Sequence, residues 1–148
     1  MTKTITTPIG ELTIHSDGTA ITRISFGDSG SNNTSPLLEE CEKQLNEYFD
    51  GTRKDFDLPL SPNGTDFQKQ VWAACTAIPY GETRTYGELA TQLGQPNAAR
   101  AVGAALGANP TWVVMPCHRV LGASGKLTGF AGGLDVKQWL LEHEANAI

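Results

Sequence analysis

Residues 85–107 read TYGELATQLGQPNAARAVGAALG, and this stretch sets the architecture of the second half of the chain. Thr85 followed three residues later by Glu88 is a capping-box pattern, so a helix opens there and ends at Leu93-Gly94. Pro96 suits the first turn of a second helix, Asn97 through Leu106, closed by Gly107 and barred from continuing by Pro110. Two helices of about eight and ten residues with a Gly-containing turn between them make a helix-turn-helix corner.

Working upstream, Thr65-Asp66-Phe67-Gln68 is another capping box, and the helix after it carries Phe67, Val71, Cys75 and Ile78 at helical spacing. Pro79-Tyr80-Gly81-Glu82 is a turn. Downstream, Trp112-Val113-Val114-Met115 is too brief for a helix between Pro110 and Pro116 and is predicted to be buried extended chain. Gly122, Gly125, Gly129, Gly132 and Gly133 fill a loop before a last helix, Leu134 to about Ala145.

The first half has a different grain. Ile5, Ile9, Leu12 and Ile14 alternate loosely with polar residues, and Ser16-Asp17-Gly18 is a turn signal before Ile21, Ile24 and Phe26. A Gly-, Ser- and Asn-rich loop, Gly27 to Ser35, precedes a helix opened by Pro36. Its apolar face is Leu37, Cys41, Leu45 and Tyr48, and Gly51 is its stop. Thr52 to Asn63 is an irregular connector with Pro59 and Pro62. The pattern predicts an α+β protein: a small strand-rich subdomain, residues 1–63, with about five strands' worth of signal, then a mostly helical domain, residues 64–148.

Composition bounds the function. The chain has 148 residues, 39% hydrophobic and 18% charged, an ordinary globular balance. No apolar run is long enough to span a membrane, and Met1 to Gly10 lacks a signal-peptide core, so the expected compartment is the cytoplasm. Cys41, Cys75 and Cys117 have no paired spacing, which argues against a disulfide framework. Cys41 and Cys75 fall on apolar helix stripes and read as buried structural thiols. No Cys/His cluster has zinc-ligand spacing, so no metal is expected. The net charge of −5 is unhelpful for binding phosphates. Its distribution softens that: residues 1–63 hold five basic and ten acidic side chains, residues 64–148 six of each. The neutral half permits nucleic-acid contact without predicting it.

Cys117-His118 is the one place where a thiol sits beside a base in sequence. A thiol titrates near ~8.5 unperturbed and needs help to become a nucleophilic thiolate. Pro116 fixes the backbone before it, and Arg119 places a cation two residues after it. Neighbours in extended chain point to opposite sides, so His118 needs a turn or a bridging water to reach Cys117. A carboxylate is then required to hold the imidazole in one tautomer.

Asn109-Pro110, the run Met115-Pro116-Cys117-His118-Arg119-Val120, Gly129-Phe130-Ala131-Gly132-Gly133-Leu134 and the terminal Lys137-Gln138-Trp139-Leu140-Leu141-Glu142-His143-Glu144 together resemble the O6-alkylguanine-DNA alkyltransferases. The similarity runs from about Gly64 to Glu144. The resemblance implies a ribonuclease H-like amino-terminal subdomain and a single-use repair protein with no cofactor. It would move the alkyl group from O6-alkylguanine, and from O4-alkylthymine, in duplex DNA onto its own cysteine. It implies Cys117 as acceptor, His118 as base acting through a water, and Glu144 orienting that His. Asn109 would tie down the active-site turn, and Tyr86 would donate its hydroxyl to guanine N3.

Arg100 would enter the duplex where the target nucleotide has been extruded, on a helix whose small Ala98, Ala99 and Ala101 suit a minor-groove approach; Thr85 joins this DNA-binding set. Met115, Val120, Phe130, Ala131 and Trp112 would wall the base pocket. The carbonyls of Cys117 and Val120 would accept from the guanine amino group, and amides near Ala131 would meet O6. Trp112 stands where the family often has a small residue or proline. Its ring either restricts large O6 substituents, the favoured alternative, or packs inward. Phe130 replaces a frequent Tyr. The chain is expected to lack the cysteine-rich module of methylation-activated relatives and to act as a monomer on double-stranded DNA, away from membranes. Three rival readings exist: a non-catalytic alkyltransferase-like lesion binder, a plain helix-turn-helix regulator and a Cys-His hydrolase. The lesion binder lacks the acceptor Cys, the regulator does not explain Pro116-Cys117-His118-Arg119 with Glu144, and the hydrolase needs a distant His.

Overall fold

The computed structural model describes residues 1–30, 32–61, 63–125, 130 and 133–146. By internal contacts the chain forms two compact units: Met1–Asn63 with Pro110–Val114, and Gly64–Asn109 with Met115–Ile148.

In the first unit, β1 (Thr2–Thr7), β2 (Gly10–Ser16) and β3 (Ile21–Phe26) form an antiparallel sheet in that order. Among the described residues of this unit there are three strands, where the apolar signal at the front suggested about five. The register explains it: Ile5 faces Leu12 and Ile14 faces Ile24, so the scattered apolar residues share one face of three paired strands. That face packs on α1 (Pro36–Phe49), which Ser35 caps by accepting from Leu38 N at 3.2 Å. The buried stripe of α1 is Leu38, Cys41, Gln44, Leu45 and Tyr48, one residue on from the expected Leu37. Buried Gln44 organises the connector: its amide donates to Asp57 O at 3.0 Å and accepts from Asp57 N at 2.8 Å.

Pro110–Val114 is extended only at its start. Ile24 N donates to Pro110 O at 2.8 Å, Thr111 bridges Ile24, and the Trp112 ring lies 5.9 Å from that of Phe26. Val113 then turns the chain at φ 74°, an outlier conformation for a β-branched residue. Apolar periodicity cannot register a turn made by apolar residues, so the expected extended run to Met115 stops short.

The second unit contains α2 (Asp66–Thr76), β4 (Arg84–Thr85), α3 (Tyr86–Gln92), α4 (Ala99–Gly107), β5 (Val120–Leu121) and α5 (Leu134–Asn146). Both capping boxes form, Thr65 with Gln68 and Thr85 with Glu88. Helix α4 starts two residues later than expected: Ala98 N donates to Gln95 O, so Pro96-Asn97 occupies a turn rather than the first helical turn. On α2, Trp72 is buried and Phe67 only half-buried; the Trp72 indole donates to Ala105 O of α4 at 2.7 Å. Helices α2 and α3 both pack on α4. The parallel pair β4–β5, Arg84 opposite Val120, ties the start of α3 to the segment that follows Cys117. Among the described residues no helix is long and apolar enough to cross a membrane.

Candidate active site

Pro116 cannot continue a ladder or a helix from behind, and the chain after it closes a single 3₁₀ turn, Cys117–Arg119, with Arg119 N donating to Pro116 O at 2.9 Å. The turn separates the two neighbours. Cys117 Sγ faces the end of α4, accepting from Asn109 Nδ2 at 2.9 Å and directing its own hydrogen toward Leu106 O at 3.6 Å. The same amide of Asn109 donates to Met115 O at 3.0 Å, so one side chain fixes both the thiol and the segment leading to it.

His118 turns the other way. Its Nε2 meets Glu144 Oε2 at 2.6 Å, and both side chains are essentially inaccessible to solvent. Glu144 lies on the buried stripe of α5, Lys137, Leu140 and Glu144, at helical spacing. Arg119 grips the same carboxylate as a fork, Nε to Oε1 at 2.8 Å and Nη2 to Oε2 at 3.0 Å, and Gly81 N adds a weaker donor at 3.3 Å. The remaining Arg119 nitrogen, Nη1, donates to Ile78 O at 2.7 Å. Gly81, at φ 81°, lets the Pro79–Glu82 turn present that amide.

The charges follow from these contacts. Burial opposes an ionised Glu144, but the His118 and Arg119 bonds overcome it and hold the carboxyl well below the usual carboxylate range. Burial also lowers the His118 pKa despite the attraction of Glu144, so the imidazole is neutral near pH 7. An ionised carboxylate can only accept. His118 Nε2 therefore carries the hydrogen, and Nδ1 is left with its lone pair. Nδ1 is buried and has no protein partner among the described residues. A neutral base thus stands ready on the residue next to the thiol.

Burial pushes the Cys117 thiol well up, the adjoining Cys75 thiol adds to this, and Asn109 and Lys137 work against it. The carbonyl end of α4 has the sign that also disfavours a thiolate. Lys137 is fully buried, and burial lowers its ammonium to about 8. Its Nζ lies 5.8 Å from the centre of the Tyr86 ring, and Gly103 of α4 also borders that ring, a Cβ there lying 3.9 Å from the ring carbons. The site therefore holds a protonated thiol on one side of the turn and, on the other, a neutral imidazole bonded to an ionised carboxylate, with two buried cations, Arg119 and Lys137, nearby.

Two family models cover nearly the whole chain: the ribonuclease-like domain of 6-O-methylguanine DNA methyltransferase over residues 1–62 and its DNA-binding domain over residues 66–146. The chain belongs to the 6-O-methylguanine DNA methyltransferase family. Among the family's members, a methylated-DNA–protein-cysteine methyltransferase of Methanosarcina acetivorans is 56% identical over 110 residues, 74% of this chain and 70% of that protein. One from Mycobacterium tuberculosis is 48% identical over 96% of this chain and 90% of its own length. The crystal structure of Mycobacterium tuberculosis OGT in complex with DNA superposes with a TM-score of 0.92 at 47% identity, covering 99% of this chain and 93% of that one.

Of the residues the family resemblance singled out, the structure bonds Asn109 to Cys117 and His118 to Glu144, two pairs joined through the chain at Cys117-His118, with Tyr86 at the start of α3 beside Lys137. Arg100 is exposed on the first turn of α4, with Ala98 and Ala99 half-buried and Ala101 exposed. The Thr85 hydroxyl is engaged in capping α3. Met115 and Val120 are buried and Phe130 is half-buried; Ala131, with Gly129 and Gly132, lies outside the described residues. Trp112 takes the inward-packing alternative, 7% exposed against Phe26 in the first unit. Sequence reasoning missed the Arg119 fork and buried Lys137. The stripe 137, 140, 144 could have exposed Lys137, because a lysine in register with Leu140 must be buried with it.

Proposed function

We propose that this chain repairs DNA by transferring the alkyl group of O6-alkylguanine, and of O4-alkylthymine, in duplex DNA to Cys117, once per molecule. The observation that carries the reading is the chain of bonds behind the thiol. Glu144, held ionised by Arg119, fixes His118 as the tautomer whose free Nδ1 can accept the Cys117 proton through a water. The thiolate sulfur attacks the alkyl carbon, the carbon–O6 bond breaks, and its electron pair passes to the purine. The Tyr86 hydroxyl donates to N3 and quenches that charge. The product is a thioether with no leaving group to reverse the step, so the protein is consumed. A high thiol pKa at rest fits this chemistry: the nucleophile is unmasked only as the base takes its proton, which protects a single-use reagent from idle reaction.

The extruded base is reached through the α3–α4 corner on the minor-groove side, with Arg100 filling the vacated stack. Three free thiols fit a reducing cytoplasm. A non-catalytic lesion binder has no need of an acceptor held by Asn109 and backed by a base. The test is incubation with an oligonucleotide duplex carrying O6-methylguanine, followed by intact mass and peptide mapping. One added methyl on the peptide containing Cys117 is expected; an unmodified protein that still binds the duplex would establish the lesion binder instead.

A further inference from the structure

Arg119 follows the base directly in the chain, and its geometry carries more than the ionisation of Glu144. The Glu144 carboxylate receives four donors. His118 Nε2 at 2.6 Å and Arg119 Nη2 at 3.0 Å meet Oε2, while Arg119 Nε at 2.8 Å and Gly81 N at 3.3 Å meet Oε1. An ionised carboxylate offers about four such sites, so none is left over. His118 and Arg119 therefore share one oxygen of one anion. The guanidinium is itself locked, with Nη1 on Ile78 O at 2.7 Å and its central carbon 5.5 Å from the centre of the Tyr80 ring. His118, Arg119 and Glu144 are all buried, so little solvent screens what passes between them.

Counting charge in this cluster decides the state of the imidazole. Glu144 is one anion and Arg119 one cation that proteins do not discharge, so with a neutral His118 the three groups sum to zero. A proton on His118 then leaves an excess positive charge in a buried site, which is costly. Lys137, on the same buried stripe of α5 as Glu144, adds a cation of the same sign. Take the guanidinium away and the sum reverses: Glu144 is a buried anion whose nearest partner is the imidazole, and it favours the charged ring. The other titratable groups around the turn offer no counter-charge: they are the thiols of Cys117 and of Cys75 in α2, and the Tyr80 hydroxyl.

We propose that Arg119 is the positioning residue that makes His118 a base: by matching the charge of Glu144 through the fork, it keeps the imidazole neutral and Nδ1 open to a proton. A carboxylate alone would orient the ring and also hold it as the imidazolium. The carboxylate–guanidinium pair orients the ring at Nε2 without inviting a second hydrogen at Nδ1. When Nδ1 takes the Cys117 proton through a water, imidazolium and thiolate form together, so the site's total charge does not change as the proton moves. The direction of the His118 shift agrees, since the ring resists protonation despite its bond to an anion. Transfer accordingly keeps its base below the pH at which an ordinary imidazole is lost.

The inference rests on the proposed transfer for its rate readout alone; the state of the ring is read without alkylated DNA. The full chain, labelled at histidine nitrogen, is titrated by ¹⁵N–¹H correlation as wild type, Arg119→Gln and Arg119→Lys, with single-turnover methyl transfer measured at each pH. Arg119→Gln removes the cation yet can still donate to Glu144. Its His118 midpoint should rise by about 1–3 pH units. Transfer near neutral pH should fall about tenfold and return as the pH is raised past that midpoint. Arg119→Lys keeps the cation without the fork. It should keep the ring neutral at pH 7, with any loss of rate equal at every pH. The double variant Arg119→Gln with Glu144→Gln removes both charges and should return the ring to neutral. Should Arg119→Gln not fold, as judged by its near-ultraviolet circular dichroism, the lysine and double variants carry the test. A charged ring at pH 7 in either of those, or a neutral one in folded Arg119→Gln with a rate loss uniform across pH, would overturn the proposal. The expected ring states in a protein that transfers no methyl group would support it and refute the transfer reading instead.

Discussion

The two units bury polar groups of opposite kinds. In the first, the buried polar side chains among the described residues are Thr13, Ser16, Gln44 and Thr111, all uncharged. In the second they are Asn109, His118, Arg119, Lys137 and Glu144. The first set serves the backbone: Thr13 Oγ1 donates to Gly27 O at 2.7 Å, and Gln44 pins Asp57. Desolvating a charge costs several kcal/mol and is rarely the cheapest way to stabilise a fold. Concentrating charges around one thiol therefore marks where stability was exchanged for reactivity.

The comparison breaks most sharply at the thiols. Cys117→Ser should lower transfer by on the order of 10³-fold or more, because a hydroxyl is much harder to ionise, while duplex binding is retained. Cys41→Ser, an equally buried thiol in the first unit, should retain transfer and lose only stability. Single-turnover transfer and denaturant midpoints on both variants separate the two effects. Near-wild-type transfer by Cys117→Ser would erase the distinction.

Next in size is Glu144→Gln, which takes the charge away from both His118 and Arg119. It should slow the chemical step about 10²-fold and cost about 3–5 kcal/mol, since Arg119 is left buried without its anion. The first-unit counterpart, Gln44→Met, should cost about 1–3 kcal/mol and leave the rate unchanged. His118→Ala should slow the step similarly, and the double variant with Glu144→Gln should lose much less than the product of the single losses, because the two act in one relay. Fully multiplicative losses in single-turnover assays would separate them.

The pH dependence of stability sharpens the same contrast. His118 has its pKa lowered in the fold, so below about 6.5 the unfolded chain binds a proton that the folded chain refuses. Stability should fall as pH drops through that region, by up to about 1.4 kcal/mol per pH unit. Glu144, also lowered, contributes stability that is complete above its unfolded value near ~4.3 and is lost as pH falls further. His118→Gln should flatten the first leg and keep the second, as read from urea midpoints across pH. The smallest effect concerns Arg100. Its removal should slow duplex repair about tenfold and leave reaction with free O6-methylguanine unchanged, since extrusion is needed only in a duplex. Equal fractional losses on the two substrates would make Arg100 a plain phosphate contact.

What the sequence disclosed divides along similar lines. Both capping boxes, the stop at Leu93-Gly94 and the last helix were legible because each rests on local chemistry within one turn. The start of α4 was misplaced because Pro96 serves a helix or a turn equally well by itself. The Val113 turn was invisible inside an apolar run. At the site, the Cys117-His118 pair was read from a thiol standing beside a base, whereas Asn109 and Glu144 came from motif resemblance, not from spacing. Arg119 gripping Glu144 across 25 residues, and reaching Ile78 O beyond the end of α2, are products of tertiary packing that no local pattern encodes.

The relay stands or falls on where one hydrogen sits. A long-range ¹⁵N–¹H correlation of the His118 ring, in protein labelled at histidine nitrogen and held near neutral pH, reads it directly. The bond to ionised Glu144 predicts a neutral ring with hydrogen on Nε2 and a bare Nδ1 able to take the Cys117 proton. A doubly protonated ring, or a neutral ring with its hydrogen on Nδ1, would leave no base beside the thiol and contradict the mechanism.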